Sequence, residues 1–353
     1  MSNPTARALL FDGESGRLRL EEREKPAPGP GEVLVRVTAS TICGSDLHTI
    51  HGRRQVAVPT ILGHEIIGTI SEFGTDSAAQ DMDGALLRPG DRVTWTIVGN
   101  CGRCQSCGSD MPQKCTAGFK YGHERDREGV RWAGGFADWC LLAPGTGIVR
   151  LPDAMADEVA CPASCATATI CAAMEAAGPV TGKRVLVAGA GLLGLTACAM
   201  ARSGGASRVA CVEPDPVRRA RSESFGATEW FGPETGGDGE FDVFMELSGT
   251  NAAWEWAFRR LALGGRAVLV GSVFPAPDTR INLEFVVRRL LTIRGIHNYA
   301  PRHLASAIRF LANHGNRFPF GEMVSSWFDL ADHAMALAEA SRPGAGRVGF
   351  RMG

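Results

Sequence analysis

The sequence predicts an α/β protein in which a β-rich domain is interrupted by a parallel sheet covered with helices. Three observations carry this. The N-terminal third holds short alternating β-branched runs, a glycine turn near residue 189 joins an apolar strand to an alanine-rich helix, and the last fifty residues return to mixed character. At 353 residues the chain is long enough for about two domains. With 44% hydrophobic and 21% charged residues it has the composition of an ordered globular protein, which excludes disorder. A formal net charge of -1 gives no basic field for nucleic acid. The most apolar stretch, residues 185–201, is too short and too rich in glycine for a membrane span.

Taken in order, GEVLVRVTAS (31–40) alternates apolar and polar residues, PTILGHEIIGTISEFG (59–74) carries a β-branched run, and RPGDRVTWTIV (88–98) follows a Pro-Gly turn. ATATICAAMEAAG (166–178) is helical by its alanine content. Strand, glycine turn, helix and strand follow through VLVAGAGLLGLTACAMA to RVACV. FDVFMELSG (241–249), an amphipathic helix over AAWEWAFRRLALGG (252–265) and the strand RAVLVGSV (266–273) repeat the alternation. RHLASAIRFLANHG predicts a helix ending on Gly315. No internal repeat is present. The expected division is 1–166 with 299–353 as the β-rich domain, and 167–298 as the nucleotide-binding domain.

The glycine turn is the G-x-G-x-x-G of a dinucleotide fold. Gly189 permits the tight turn, Gly191 lets backbone approach a pyrophosphate, and Gly194 allows close helix–strand packing. The helix then offers free N–H groups to phosphate at Leu192 and Leu193. Gly271, within the string RAVLVGSV, completes the candidate contact set. Glu213 ends the next strand, nineteen residues after Gly194. It can accept hydrogen bonds from a ribose 2′-hydroxyl, which favours NAD over NADP. Arg218 leaves two readings open, a contact to the same ribose or tolerance of a 2′-phosphate.

Residues 101–115 read CGRCQSCGSDMPQKC, placing Cys101, Cys104, Cys107 and Cys115 in one loop. No charged segment followed by a long apolar run marks a secretory signal. The chain has eleven cysteines, and others, such as Cys171, Cys198 and Cys211, sit singly in apolar surroundings. Both features imply a cytoplasmic protein with reduced thiols. Closely spaced cysteines then read as a zinc site before a disulfide knot. Four thiolates close the coordination shell, so this zinc is expected to be structural.

Upstream lie C-G-S-D-L-H (43–48) and G-H-E-x-x-G (63–68). With PGPGEVLVRV (28–37), GGFADW (134–139) and GRVGF (346–350), they make the chain resemble the zinc-dependent medium-chain alcohol dehydrogenases over nearly its whole length. The resemblance implies a GroES-like catalytic domain, a Rossmann domain, two zinc ions per subunit, and NAD as cofactor. It implies an alcohol or carbonyl small molecule as substrate, and a homodimer or homotetramer assembled through the nucleotide domain. Cys43, His64 and Cys165 take the places of the catalytic zinc ligands, with Cys161 as a rival to Cys165 and with Glu65 beside the metal, where it can coordinate the zinc or yield to water. Asp46 orients His64 or caps a helix. Ser45 and His48 form the proton path. His51, Arg53, Arg54, Lys120 and His123 fall on stretches that border the substrate cleft in relatives. Guanidinium forks there suit carboxylate or phosphonate oxygens. The strings HGRR, MPQKCTAGFKYGHE, SCATAT and RGIHNYAPRHL are similar to those of a subgroup associated with phosphonate catabolism. Enzymes for neutral polyols or secondary alcohols, a zinc-free reductase on the same fold and an inactive nucleotide sensor are the competing readings. The retained ligand and proton-path residues argue against the last two.

Overall fold

The computed structural model describes residues 5–13, 17–77, 80–127, 132–232, 239–342 and 344–353. The chain forms two compact units, one of residues 1–165, 300–313 and 320–353, the other of residues 166–299 and 314–319.

The first unit is built on a sheet whose strands run in the order Ile148–Arg150, Arg92–Trp95, Glu65–Phe73, Val33–Thr41, Arg347–Arg351, Val324–Phe328, with Trp139–Leu142 also paired to Val33–Thr41. A smaller sheet joins Leu18–Glu24, Thr5–Phe11 and Thr60–Ile61. Val33–Thr41 buries Val33, Leu34, Val35, Val37 and Ala39, as a central strand covered on both faces requires. The C-terminal strand pairs antiparallel with it, Gly349 opposite Thr41. Val348 and Phe350 are thereby brought into the core with Leu9, Val35, Ile66, Trp95 and Phe136. Phe350 meets Phe136 edge to face at 5.0 Å.

The second unit holds six parallel strands, ordered Glu229–Phe231, Arg208–Val212, Arg184–Ala188, Phe241–Glu246, Leu261–Leu269, Thr292–Gly295. In chain order this is 3-2-1-4-5-6, with the reversal between the first and fourth strands that marks a dinucleotide-binding crevice. Helix Ala166–Ala177 ends at Gly178, whose φ of +69° suits glycine.

One expected element is divided differently. The helix predicted over 252–265 is shorter, Asn251–Phe258, and Leu261–Leu269 is a strand. Arg260 ends the helix, donating to the Trp256 carbonyl at 2.8 Å and lying 3.8 Å above the Trp256 ring. Parallel pairing with Phe241–Glu246 then claims residues whose apolar spacing also fits a helix. No single helix among the described residues is long and apolar enough to cross a membrane.

Phe350→Ala is expected to destabilise the first unit by about 3–5 kcal/mol, since the aromatic ring leaves a cavity between packed sheet faces. A lowered denaturant midpoint for that unit's unfolding checks this; an unchanged midpoint would show that the C-terminal strand is not part of its core.

Candidate metal centres and nucleotide site

Strand pairing builds the buried centre of the first unit. Val33–Thr41 and Glu65–Phe73 run antiparallel with Thr41 opposite Glu65. Cys43 follows the end of one strand and His64 precedes the start of the other, so register alone makes them neighbours. Gly63 makes the approach with φ +89°, and a Cβ there would fall 2.5 Å from the Phe136 ring. Cys165 arrives on the short 3-10 turn Cys161–Ser164. The Ser164 hydroxyl donates to the His64 carbonyl at 3.2 Å and fixes that turn. One ligand atom from each of Cys43, His64 and Cys165 lies within 4.8 Å of the others. The two sulfurs are 3.9 Å apart, close to the edge of about 3.8 Å that a tetrahedron with 2.3 Å zinc–sulfur bonds requires. Two soft sulfurs and one imidazole nitrogen, largely shut off from water, are a donor set suited to zinc. Cys161 stands apart: its thiol donates to the Glu65 carbonyl at 3.2 Å, and burial pushes its pKa up, so it does not join the cluster.

Asp46 combines both of its expected readings. Its Oδ2 accepts from the Cys43 N–H at 2.9 Å, capping helix Gly44–Ile50. Its Oδ1 lies 3.3 Å from His64 Nδ1, an ion-pair contact whose angle falls short of a full hydrogen bond. This leaves His64 Nε2 to face the sulfurs, with Ser45 Oγ 3.3 Å from it. Burial opposes a charged imidazole, but Asp46 and Cys43 outweigh it and hold His64 at about 10. The Cys43 thiol is drawn well down by a hydrogen bond from Cys165, against burial and with help from Arg347. His48 lies one turn beyond Ser45. Burial and then Arg53 lower its pKa, so it is neutral and able to accept a proton near pH 7.

Glu65 stays outside the ligand group, although the sequence places it beside the metal. Its Oε1 accepts from Arg347 Nη2 at 2.7 Å and its Oε2 from the Thr41 hydroxyl at 2.5 Å. The same Arg347 nitrogen lies 3.5 Å from Cys43 Sγ. Burial raises Glu65 to about 7, with Arg347 pulling the other way. Arg347 and Thr41 are functional candidates that sequence reasoning missed. The only signal was the GRVGF string, and the pairing of its strand with Val33–Thr41 delivers Arg347 to the site.

The four-cysteine loop is largely surface-exposed, and its thiols also converge within 4.8 Å. The sulfur separations of 3.4, 3.5 and 3.8 Å around Cys115–Cys101, Cys104–Cys107 and Cys104–Cys115 again match a tetrahedral shell. All four are free thiols. Backbone N–H groups of Cys107 and Thr116 draw Cys104 down to about 5, where the thiolate needed for metal binding is easily reached.

The substrate candidates divide into two groups. Helix Gly44–Ile50 ends before His51, and Gly52, at φ +74°, turns the chain outward. His51 and Arg53 are therefore exposed, with His51 Nε2 3.5 Å from the Ser341 hydroxyl. Arg54, Lys120 and His123 are partly buried. The His123 ring centroid is 5.5 Å from that of His64. Its Nδ1 donates to the Tyr121 carbonyl at 2.8 Å. Burial, then Lys120, push its pKa well down, so it is a neutral ring.

In the second unit, Gly189 has φ +99°, and a Cβ on Gly194 would lie 1.8 Å from the Gly189 carbonyl oxygen. Gly191 caps helix Leu192–Ser203 without a side chain, so the first-turn N–H groups at Leu192 and Leu193 stay open to an anion. Glu213 accepts from the Ala190 N–H at 2.8 Å and the Asp215 N–H at 3.1 Å. One carboxylate thus holds the glycine turn and the following loop together. Arg218 Nε lies 4.0 Å from it. A second carboxylate, missed in the sequence, does the same nearby. Fully buried Glu246 accepts from Ser248 and Gly249 N–H groups at 2.8 and 2.7 Å and from the Ser272 hydroxyl at 3.2 Å. Gly271 allows this closure, since a Cβ there would fall 2.5 Å from the Gly249 nitrogen.

A GroES-like unit with a cysteine–histidine metal cluster and a 3-2-1-4-5-6 parallel sheet defines a two-domain, zinc-binding dehydrogenase. The alcohol dehydrogenase GroES-like domain matches residues 29–153, and the zinc-binding dehydrogenase domain matches residues 193–313. The L-threonine 3-dehydrogenase of Pyrococcus horikoshii is 32% identical over 303 residues, 81% of this chain and 80% of that protein. The 5-exo-hydroxycamphor dehydrogenase of Pseudomonas putida is 29% identical over 338 residues, 90% of this chain and 92% of that protein. A crystal structure of an alcohol dehydrogenase from Thermotoga maritima superposes with a TM-score of 0.91 at 25% identity, covering 99% of this chain and all of that one. The chain belongs to the zinc-dependent medium-chain alcohol dehydrogenase family.

Arg347→Met is expected to cost about 3–5 kcal/mol, because it strands the Glu65 carboxylate in the interior. Adding Glu65→Gln should recover most of that loss. Denaturant unfolding of the two single variants and the double variant tests the pair; additive losses would mean that Arg347 and Glu65 do not stabilise one another.

Proposed function

We propose that the protein is an alcohol dehydrogenase that moves a hydride between a hydroxyl-bearing substrate and NAD, with a catalytic zinc held by Cys43, His64 and Cys165 and a structural zinc held by Cys101, Cys104, Cys107 and Cys115. The convergence of one ligand atom each from buried Cys43 and His64 and half-buried Cys165 carries this reading. When bound, zinc supplies Lewis acidity that eases loss of the hydroxyl proton, and the nicotinamide supplies the hydride acceptor.

The chain's own groups do the rest. Ser45, within 3.3 Å of His64 Nε2, receives the substrate proton. His48, neutral and one helical turn away, accepts the proton in turn and releases it to solvent. Asp46 fixes the His64 ring through Nδ1 and keeps Nε2 directed at the metal. Glu65, held by Arg347 and Thr41, would stand beside the metal without occupying a ligand position. Glu213 supports NAD over NADP through acceptors at the ribose edge, with Arg218 beside it contacting the same ribose.

The substrate we infer is anionic, of the hydroxyalkylphosphonate or hydroxycarboxylate kind, because Arg54 and Lys120 are partly buried cations on the two stretches that border the substrate cleft in relatives. A neutral secondary alcohol is the second reading, favoured by the name of the Pseudomonas putida relative. The protein is proposed to work in the cytoplasm as a homodimer or homotetramer joined through the nucleotide unit. Thr292–Gly295 is the edge strand there, with no partner on its outer side among the described residues, and Leu283, Val287 and Leu290 nearby are 73, 71 and 72% exposed.

Metal analysis of unchelated protein should give about two zinc ions per chain, as two separate ligand sets require. Cys104→Ser should lose one ion and aggregate, while Cys165→Ser should lose the other ion and turnover but stay folded. Zinc bound only in the four-cysteine loop, with no NADH formed from any alcohol, would sink the dehydrogenase reading. His48→Ala should lower turnover on the order of tenfold, the low end for a lost acid–base group. A proton acceptor works when neutral, so wild-type activity should fall as pH drops through the lowered His48 pKa, below the usual 6.5. The variant should lose that limb and recover partly at higher pH; a superimposable pH profile would remove His48 from the relay. Val287→Lys should shift the mass measured by light scattering toward the monomer, and an unchanged mass would place the interface elsewhere.

A further inference from the structure

The parallel sheet has two mononucleotide halves. One is Arg184–Ala188, Arg208–Val212 and Glu229–Phe231, and the other is Phe241–Glu246, Leu261–Leu269 and Thr292–Gly295. The glycine turn and Glu213 both belong to the first half. A dinucleotide with its pyrophosphate on that turn and its adenosine ribose at Glu213 leaves its nicotinamide nucleotide to the second half. The carboxyl edge of that half is made by the loops 247–250 and 270–272, and Glu246 joins them. Its Oε1 accepts from the Ser248 and Gly249 N–H groups at 2.8 and 2.7 Å and from the Ser248 hydroxyl at 2.7 Å. Its Oε2 accepts from the Ser272 hydroxyl at 3.2 Å. Its main chain repeats the tie, the carbonyl accepting from the Val270 and Gly271 N–H groups at 3.0 and 2.9 Å.

The junction has little slack. A Cβ on Gly271 would fall 2.5 Å from the Gly249 nitrogen, and one on Gly249 2.7 Å from the Gly271 carbonyl oxygen. The first loop also backs the glycine turn: the Leu247 N–H donates to the Ala188 carbonyl at 3.0 Å, and a Cβ on Gly189 would lie 3.2 Å from the Ser248 nitrogen. Glu246 is fully buried while Ser248, Thr250, Ser272 and Val273 are exposed, so the acid sets a surface that it does not itself present. An apolar residue would end the strand without the cost of burying a carboxylate. What the carboxylate gives in return is fixed loop geometry, which a binding surface needs. We propose that Glu246 is a positioning residue for the nicotinamide half of the cofactor. It touches no ligand, and holds loops 247–250 and 270–272 in the arrangement against which the nicotinamide nucleotide lies. The inference rests on the NAD reading above and on no choice of alcohol.

The test is calorimetric titration of the zinc-loaded protein with NADH and with ADP, which has the adenosine and both phosphates and lacks the nicotinamide nucleoside. Glu246→Ala should weaken NADH about tenfold, the equivalent of one lost hydrogen bond to a charged group, and leave ADP within about twofold. Glu246→Gln should restore most of the NADH affinity. Its amide oxygen can accept from the Ser248 and Gly249 N–H groups, and the Ser272 hydroxyl can turn to accept from the amide N–H. Ser272→Ala removes only the side-chain tie between the loops and should weaken NADH about threefold, with ADP unchanged. Parallel losses for NADH and ADP in Glu246→Ala, or no loss for either, would overturn the proposal. Should that variant not fold, Ser272→Ala decides, and wild-type NADH affinity there overturns it. Wild-type protein that binds neither ligand overturns the dinucleotide reading and the proposal with it. Selective loss of NADH supports Glu246 even if no alcohol is oxidised, in which case only the dehydrogenase reading fails.

Discussion

The structure of the first unit turns on how negative charge is managed at one buried point. Cys43, Cys165, Glu65 and Asp46 crowd around His64, and such a cluster is tolerable only where cations answer it. Arg347 answers Glu65 and Cys43 directly, through contacts of 2.7 and 3.5 Å. The convergent sulfur and nitrogen donors are shaped for a divalent ion to answer the remainder. The requirement reaches into the topology. Arg347 belongs to the last strand of the chain, and that strand is inserted next to Val33–Thr41, from whose end Cys43 emerges. The C-terminal segment therefore closes the sheet and also brings the site its cation.

The nucleotide unit applies a related principle with uncharged partners. Glu213 and Glu246 are buried carboxylates at the ends of parallel strands, Glu213 accepting from N–H groups of the glycine turn and of its own following loop, Glu246 from those of the loop that follows it. Each acid thereby sets a loop at the carboxyl edge of the sheet, where the switch point leaves a crevice. The glycines serve the same end from the other side, since Gly189, Gly194 and Gly271 lie where any Cβ would strike backbone.

The legible part of the fold was its alternation. Strand runs such as GEVLVRVTAS and VLVAG carry their period in the sequence, and the glycine spacing announces the turn that follows. The helix over 252–265 was misjudged in extent because Leu261–Leu269 satisfies either period, and only pairing with the neighbouring strand decides it. The thiols and the imidazole that converge were legible as a cluster because such residues at such spacings have few other uses. Arg347, Thr41 and Glu246 were not, since an arginine, a threonine or a glutamate in a strand has many ordinary uses. The same limit applies to the basic residues after His48: Arg53 and Arg54 are identical in sequence terms, yet Gly52 turns the chain so that one is exposed and the other partly buried.

By itself, then, the sequence determined the chemistry available: sulfur and imidazole donors for zinc, a glycine turn for a dinucleotide, and a family whose motifs occur in order. Tertiary structure decided which of those groups act together. It brought Cys165, and not Cys161, together with Cys43 and His64, paired Glu65 with Arg347, and gave Asp46 two contacts at once. The physical reason is that spacing along a chain fixes which groups can meet locally. Strand register and burial, set by contacts hundreds of residues apart, fix which charges must balance one another.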